Sequence, residues 1–246
     1  MRRIDRDAFA SWPAYYRHYQ AELARRFLIP FLEQHGVRVA GSRVLDAGCG
    51  IGGVTAALAE RGAACLGIDI GVFEWSSGPN LEFRRADVLD AGVAASLRGR
   101  YDLVVLRDVV EHIEDKARLL AHARDALAQG GAILVTFPPY WSPFGAHQQT
   151  ELRGSALRLV PYMHAHPRLA HIARTRTTVS GFERLLPRAG LVARARRLYV
   201  SRPSFELRYG VPSVVFPLPW LRGVREIVCT GATYLLRRSG ELPETP

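Results

Sequence analysis

Short apolar runs recur along the first 140 residues, and turns rich in glycine or polar residues separate them. The runs at 43–47, 64–69, 81–88, 101–107 and 132–137 have the length of buried strands. The fourth run is apolar along its centre, which is typical of a central strand in a parallel sheet. Strands that alternate with helical segments in this order predict a parallel sheet with right-handed crossovers.

Helical spacing of apolar side chains marks three further segments in the same region. The pattern predicts helices at 8–34, at about 52–61 and at 115–128. Pro30 is expected to break the first helix, because proline lacks the backbone N–H that a helix interior uses. Gly130-Gly131 is expected to close the third helix. The loop Gly71–Asn80 shows no helical pattern, so the connection after the second strand is expected to be short.

The last third of the chain predicts further strands and an unusual apolar segment. Leu191–Val200 is expected to be the sixth strand. Arg225–Arg237 fits a final antiparallel strand beside the fifth, with an amphipathic helix as the alternative. Residues 203–222 are apolar, but four prolines exclude a transmembrane helix there. The segment is expected to pack on the core or to dip into a membrane surface.

These elements together predict one α/β domain. The expected fold is a doubly wound, mostly parallel, Rossmann-like sheet of seven strands with helices on both faces and a lid insert. The expected parts are an N-terminal helical cover at 1–40, a cofactor-binding core at 41–139, a substrate lid at 140–180, and a C-terminal helix with strands at 181–246.

A glycine turn follows the first strand directly. Gly48, Gly50 and Gly52 let the backbone turn sharply and approach a ligand closely, and the next helix points its free N–H groups at that ligand. Gly48, Gly50 and Gly53 also satisfy the G-x-G-x-x-G pattern of dinucleotide sites such as those for NAD. However, the carboxylate of Asp46 would repel a pyrophosphate and suits a ligand with a cationic amino group and a sulfonium. A glycine-rich turn without a ligand is the third alternative.

The stretch Val44-Leu45-Asp46-Ala47-Gly48-Cys49-Gly50-Ile51-Gly52 closely resembles motif I of class I S-adenosylmethionine-dependent methyltransferases. The resemblance implies that Asp46 and the turn hold the methionine part of S-adenosyl-L-methionine, Asp69 the ribose, and Asp87 with Val88 the adenine. The spacing of Asp69, about 20 residues past the turn, agrees with a ribose ligand. The expected cofactor-binding residues are Asp46, Gly48, Cys49, Gly50, Gly52, Asp69, Ile70, Asp87, Val88 and Arg107.

Two histidines are candidates for the general base of a transfer to oxygen. His112 lies in Asp108-Val109-Val110-Glu111-His112-Ile113, which resembles the segment after the fourth strand in the ubiquinone and menaquinone branch of that family. Asp108 and His112 are four residues apart, so on a helix they would share a face and Asp108 could orient the ring. His147 is the second candidate. For each histidine the alternative is an ordinary packed or surface residue.

The loop after the fifth strand indicates the acceptor. Tyr140, Trp141 and His147 lie in a segment rich in aromatic and hydrogen-bonding side chains, at the sheet edge where such folds bind ligands. Phe137-Pro138-Pro139-Tyr140 differs from the Asn/Asp-Pro-Pro-Tyr/Phe motif of enzymes that methylate amino groups of DNA, because Phe137 replaces the polar residue. The expected acceptor is therefore a small or lipid-linked molecule and not DNA.

The net charge of +10 is confined to the C-terminal part of the chain. Residues 1–150 carry 17 Lys or Arg and 17 Asp or Glu, whereas residues 151–246 carry 16 Arg and 6 Asp or Glu. A basic region could face an anionic substrate, an anionic membrane surface or nucleic acid, or could be a solvated face. An RNA-directed methyltransferase and a non-catalytic cofactor-binding protein are the alternative functions, although no RNA-binding module is recognisable.

Cysteine and histidine usage bears on metals and on the compartment. Cys49, Cys65 and Cys229 are scattered and have no metal-ligand spacing, which fits a reducing cytoplasm. His164, His166 and His171 are close in sequence but lack the cysteine or carboxylate partners of a metal pattern. The N-terminus has no apolar signal stretch. No metal is expected, and the expected location is cytoplasmic, with peripheral association to the inner membrane surface as an extension.

Overall fold

The computed structural model describes residues 3–141, 149–153, 156–160 and 172–241. The strands are β1 Arg43–Ala47, β2 Ala64–Asp69, β3 Leu81–Arg85, β4 Tyr101–Arg107, β5 Leu127–Phe137, β6 Gln149–Arg153, β7 Ala156–Val160, β8 Leu191–Ser201, β9 Val214–Val215 and β10 Gly231–Arg238. The α-helices are α1 Trp12–Leu23, α2 Ile29–Gln34, α3 Gly53–Glu60, α4 Ala91–Leu97, α5 Lys116–Ala126, α6 Ile172–Thr175, α7 Val179–Leu185, α8 Pro203–Tyr209 and α9 Arg222–Val228. A π-helical segment at Ala24–Leu28 joins α1 to α2, and 3-10 turns lie at Arg6–Ala8, Val110–His112 and Pro187–Ala189.

The main sheet has the strand order β3-β2-β1-β4-β5-β10-β8-β9. Strands β1 to β5 pair in parallel, and β10 is antiparallel to both β5 and β8. The predicted parallel core and the predicted antiparallel strand beside the fifth are therefore confirmed. The sheet has eight strands and not seven, because the two-residue β9 pairs with the edge of β8. Strands β6 and β7 form a separate hairpin.

Side chains of the parallel strands alternate between two hydrophobic cores, one on each face of the sheet. Leu45, Val104 and Ile133 pack in the core that contains Leu119 of α5. Their neighbours in the chain, Val44, Leu103 and Leu134, pack in the core that contains Leu58 of α3. This period of two is what a strand buried on both faces requires, and it confirms the doubly wound arrangement.

Three boundaries differ from the sequence predictions. Pro30 does not break the N-terminal helix, because the π-helical segment before it changes the hydrogen-bond spacing and the chain continues as α2. Helix α5 ends at Ala126 and β5 begins at once, so Gly130 and Gly131 lie inside the strand. The final strand begins at Gly231, since Arg222–Val228 form a helix.

Within the described ranges, no helix combines the length and the hydrophobicity needed to cross a bilayer.

Candidate active site

A cavity of about 780 Å³ opens at the carboxyl ends of β1, β2 and β4. Seven of the ten expected cofactor-binding residues line it, namely Gly48, Gly50, Asp69, Ile70, Asp87, Val88 and Arg107. Asp46, Cys49 and Gly52 are not among its lining residues. The structure therefore divides the expected residues into those that line the cavity and those that do not.

The glycine turn has the left-handed backbone that its sequence predicts. Gly48, Gly50 and Gly52 have φ angles of 82°, 53° and 83°. A Cβ on Gly48 would lie 2.4 Å from Val109 Cγ2, and one on Gly52 would lie 2.6 Å from the ring of Phe83. These two glycines are thus required by close packing as well as by φ.

Asp46 lies beneath the turn and not on its open side. Asp46 is 1% exposed, and its carboxylate accepts a 2.6 Å hydrogen bond from the hydroxyl of Thr55 on α3. Burial raises the pKa of Asp46 to about 6, although the Thr55 hydrogen bond opposes this shift. The expectation that this carboxylate faces the ligand does not match the structure, because Asp46 shares the strand face that packs against α3.

Cys49 is also buried, and its thiol lies 3.7 Å from the carbonyl oxygen of Gly50. Burial raises the pKa of this thiol, so it remains protonated. Its contribution to the turn is made through packing.

Two carboxylates stand on the cavity rim at the ends of β2 and β3. The carboxylate of Asp69 accepts hydrogen bonds from the backbone N–H groups of Gly50, at 2.8 Å, and Gly71, at 2.7 Å. Asp87 accepts a 2.8 Å hydrogen bond from the N–H of Leu89. Each carboxylate oxygen has a further lone pair, so both residues remain able to accept hydrogen bonds from a ligand.

Arg107 brings a buried positive charge to the cavity wall. Its guanidinium pairs with the carboxylate of Asp108 at 2.6 Å, and the side chain of Arg107 is 8% exposed. Although burial disfavours the charge, the neighbouring Asp108 carboxylate raises the pKa of Arg107. At the end of β4, the positive charge of Arg107 is therefore compensated by the carboxylate of Asp108.

The predicted arrangement of Asp108 and His112 is wrong. Asp108 has a φ of 53°, so the chain turns there, and only Val110–His112 form a short 3-10 turn. The Asp108 carboxylate accepts hydrogen bonds from Arg107 and, at 3.0 Å, from the hydroxyl of Thr136. The two residues thus share no helical face.

His112 lines the cavity as expected for a candidate base. The carboxyl group of Glu111 lies near its ring, with Nε2 and Oε1 3.9 Å apart. Glu111 is 1% exposed, and neither of its carboxyl oxygens has a hydrogen-bond partner. Burial raises the pKa of Glu111 well above its ordinary value, with Asp108 adding to the effect. Sequence analysis did not single out Glu111 as a buried acid.

The expected acceptor residues lie only partly within the described structure. Tyr140 and Trp141 form an edge-to-face ring pair with centroids 4.9 Å apart, and Trp141 is 55% exposed. The backbone N–H of Tyr140 donates to the carbonyl of Thr177 at 2.8 Å. Neither ring lines the 780 Å³ cavity. His147, and the histidines at 164, 166 and 171, lie outside the described residues.

Helix α1 and the loop after β2 contribute residues that the sequence reasoning did not place. Trp12, Tyr16 and Gln20 of α1 line the cavity, and the side-chain oxygen of Gln20 accepts a 3.1 Å hydrogen bond from the N–H of Gly53. The indole N–H of Trp75 donates to the carbonyl oxygen of Gly50 at 2.8 Å, and its ring stacks on Phe83.

Across 3–141, 149–153, 156–160 and 172–241, no group of three or more metal-ligating side chains is present.

Comparison with known proteins shows that the chain matches a described protein family. The family described as "Methyltransferase domain" matches residues 16–195, which is more than half of the chain. A ubiquinone biosynthesis O-methyltransferase from Azotobacter vinelandii is 34% identical over 116 residues, which cover 44% of this chain and 49% of that protein. The chain thus spans about half the length of the curated relatives it matches.

Solved structures share the fold at low sequence identity. An S-adenosylmethionine-dependent methyltransferase from Mesorhizobium loti superposes with a TM-score of 0.55 and 19% identity, over 85% of this chain and 96% of that one. A magnesium protoporphyrin IX methyltransferase from Synechocystis, crystallised with S-adenosylmethionine, gives a TM-score of 0.52 and 16% identity, over 94% of this chain and 86% of that one. At these identities the likeness concerns the fold, and it agrees with the order of parallel strands described above. The chain therefore belongs to the methyltransferase domain family, with the class I fold that the resemblance of its glycine turn implied.

Proposed function

We propose that this chain is an S-adenosylmethionine-dependent methyltransferase that acts on a small-molecule or lipid-linked acceptor, at oxygen. The observation that carries the proposal is the 780 Å³ cavity, where a glycine turn and two rim carboxylates stand at the ends of successive strands. The family match and the named O-methyltransferase relatives support the same reaction class.

The residues at the cavity fit the parts of S-adenosylmethionine. The backbone of Gly48 and Gly50 would hold the methionine part, Asp69 the ribose hydroxyls, and Asp87 with Val88 the adenine. The N–H groups of Gly50 and Gly71 fix the Asp69 carboxylate, which preorganises it for two further hydrogen bonds. Asp46 would act indirectly, because its hydrogen bond to Thr55 ties β1 to the helix that follows the turn.

The chain has few chemical tasks in such a transfer. Bound S-adenosylmethionine would supply an electrophilic methyl group on its sulfonium, with the neutral thioether S-adenosylhomocysteine as the leaving group. The protein aligns the acceptor and excludes water. Tyr16 and Trp12 of α1 line the cavity and would provide part of this cover.

His112 is the proposed general base. It lines the cavity, and an imidazole is the side chain best suited to take the proton of an acceptor hydroxyl near neutral pH. The nearby carboxyl of Glu111 is a group that could influence its ring. His147 as a second base, and Tyr140 with Trp141 as acceptor contacts, stay predictions, as does the division into a cover, a core and a lid at 140–180.

A DNA acceptor is not supported by the segment after β5. Phe137 is 1% exposed and stacks on Tyr234, with Phe182 tilted against both rings. A side chain buried in this cluster cannot take the part of the polar residue that would bind a base amino group.

We further propose that the segment 211–228 meets an anionic membrane surface. Trp220 is 67% exposed, Arg222 is exposed beside it, and the surrounding apolar side chains are also exposed. Aromatic and aliphatic side chains with arginine are the composition of interfacial membrane contacts. These apolar side chains are Val211, Val214, Val215, Leu218, Leu221, Val224, Ile227 and Val228.

The membrane proposal is tested by co-sedimentation with vesicles that contain phosphatidylglycerol. Wild type should sediment with them, and Trp220→Ser should reduce the bound fraction several-fold. Equal binding of both proteins, or no binding of wild type, would contradict it.

The enzymatic proposal is tested with S-adenosylmethionine carrying an isotopically labelled methyl group. Purified protein is incubated with cell extract, and small molecules and lipids are examined by mass spectrometry for products that gain the label. Asp69→Ala, added at the same concentration, is the matched control and should yield far less product. Labelled products that arise equally with both proteins, or none with either, would count against the proposal.

A further inference from the structure

A second, smaller cavity adjoins the cofactor cavity. Its volume is about 140 Å³, and it shares Tyr16 and Asp108 with the larger one. A cavity of about 150 Å³ accommodates one benzene ring. Its walls include Tyr19, Phe137 and Pro138, so the smaller cavity has room for a single ring beside the place proposed for the methyl donor.

Buried polar atoms without partners converge on this cavity. Both carboxyl oxygens of Glu111, Nε of Arg202 and Oγ of Ser204 are buried and make no hydrogen bond. All three residues line the cavity. An unsatisfied buried polar group is destabilising, and native proteins rarely leave several together. A ligand that supplies the missing partners accounts for this grouping.

The charged side chains that line the smaller cavity favour one class of ligand over another. Arg202 and Arg208 both line it, and Asp108 is already paired with Arg107. Arg202 is close enough to Glu111 to act on its carboxyl group electrostatically, and its guanidinium lies 5.0 Å from the centroid of the Phe205 ring. That ring contact leaves the Nε–H of Arg202 without a hydrogen-bond acceptor.

Glu111 does not cancel the positive charge of Arg202. Burial, together with the Asp108 carboxylate, raises the pKa of Glu111 well above its ordinary value, which favours the protonated carboxyl group. A protonated carboxyl donates a hydrogen bond, as do Nε–H of Arg202 and the hydroxyl of Ser204. The cavity thus offers converging donors and positive charge, which suits an anionic oxygen group and disfavours an amine.

We propose that the 140 Å³ cavity is the acceptor subsite and that it takes a single-ring carboxylic acid, whose carboxylate is held by Arg202 and Ser204. This inference rests on the methyl transfer proposed above. The ring lies against Tyr16 and Phe137, and a hydroxyl on its far side faces the cofactor cavity along the wall that the two cavities share.

The test uses protein saturated with S-adenosylhomocysteine and three probes: benzoate, benzamide and benzylamine. These probes share one ring and differ in charge. Titration followed by ligand-observed NMR should show benzoate binding at least about tenfold more tightly than benzamide, with benzylamine weaker still. Arg202→Met should remove that preference, and Ser204→Ala should weaken benzoate binding several-fold. Arg188→Met, at an exposed arginine on the 3-10 turn after α7, is the matched control and should behave as wild type.

The outcomes separate the two proposals. Failure of S-adenosylhomocysteine to bind would refute the proposed function. Normal S-adenosylhomocysteine binding with benzoate no tighter than benzamide, or with an unchanged preference in Arg202→Met, would overturn the acceptor subsite alone. Thermal melts of each variant check folding, and Ser204→Ala decides the matter if Arg202→Met is unfolded.

Discussion

Replacing Asp46 with asparagine should stabilise the fold at neutral pH. Asp46 is 1% exposed, and its carboxylate accepts a hydrogen bond from the hydroxyl of Thr55. Burial raises the pKa of its carboxyl group from an ordinary 3.8 to about 6, so the folded chain binds this proton more tightly than the unfolded chain. Between these two values, folding takes up a proton, and stability falls as the pH rises.

The magnitude follows from the two pKa values. The difference between 3.8 and about 6 corresponds to roughly 3 kcal/mol of lost stability above pH 6. Asparagine keeps an oxygen that can accept from Thr55 and carries no charge. Asp46→Asn should therefore raise the free energy of unfolding by up to about 3 kcal/mol at pH 7, and the gain should shrink towards zero near pH 4.

The assay is guanidinium unfolding of both proteins at pH 4 and pH 7. Thr55→Val serves as a control: it removes the hydrogen bond that supports the ionised carboxylate, so it should cost more stability at pH 7 than at pH 4. The reasoning is refuted if Asp46→Asn is less stable than wild type at pH 7, or if the difference is the same at both pH values. Because Asp46 does not line the cavity, the affinity for S-adenosylhomocysteine should change less than about threefold, or about 0.65 kcal/mol.

Two further substitutions test the cavity itself. Asp69→Ala should weaken S-adenosylhomocysteine binding by about 30- to 1,000-fold, since two hydrogen bonds to a charged acceptor are worth roughly 2–4 kcal/mol. Calorimetry measures the affinity of this variant and of the control Asp90→Ala. A loss below threefold would exclude Asp69 as the ribose ligand. His112→Ala should reduce turnover by about 10²–10⁴ with cofactor affinity nearly unchanged. A reduction in turnover below fivefold would show that His112 has a structural role. A parallel loss of cofactor affinity would place His112 in the cofactor pocket. The same measurements on His147→Ala would distinguish the two histidines as candidate bases.

Local patterns in the sequence were sufficient to predict the parallel strands of the core and the glycine turn. Apolar runs of strand length fixed the identity of β1 to β5, and the need for positive φ explains why Gly48 and Gly50 could be placed at the cavity. The alternation of side chains between the two faces of β1 also predicts the direction of the Asp46 side chain. Val44 packs on the α3 side of β1, and Asp46 is two residues further on, so its side chain must point towards α3 and Thr55.

The remainder of the site depends on tertiary structure. Asp108 has a left-handed conformation and contacts Arg107 and Thr136, which lie on different strands. Aspartate adopts this conformation more often than most residues, but its type alone does not tell which aspartate of the chain will do so. Glu111 and Arg202 are about 90 residues apart, and only the packing of the sheet brings them to one cavity. Sequence spacing could not reveal that juxtaposition.

Calorimetric titration of the wild-type protein with S-adenosylhomocysteine and with NAD tests the central claim most directly. A sulfonium-type donor site built from Gly48, Gly50, Asp69 and Asp87 predicts S-adenosylhomocysteine binding in the micromolar range, about −8 kcal/mol, and no detectable NAD binding. Binding of NAD without binding of S-adenosylhomocysteine would contradict the account.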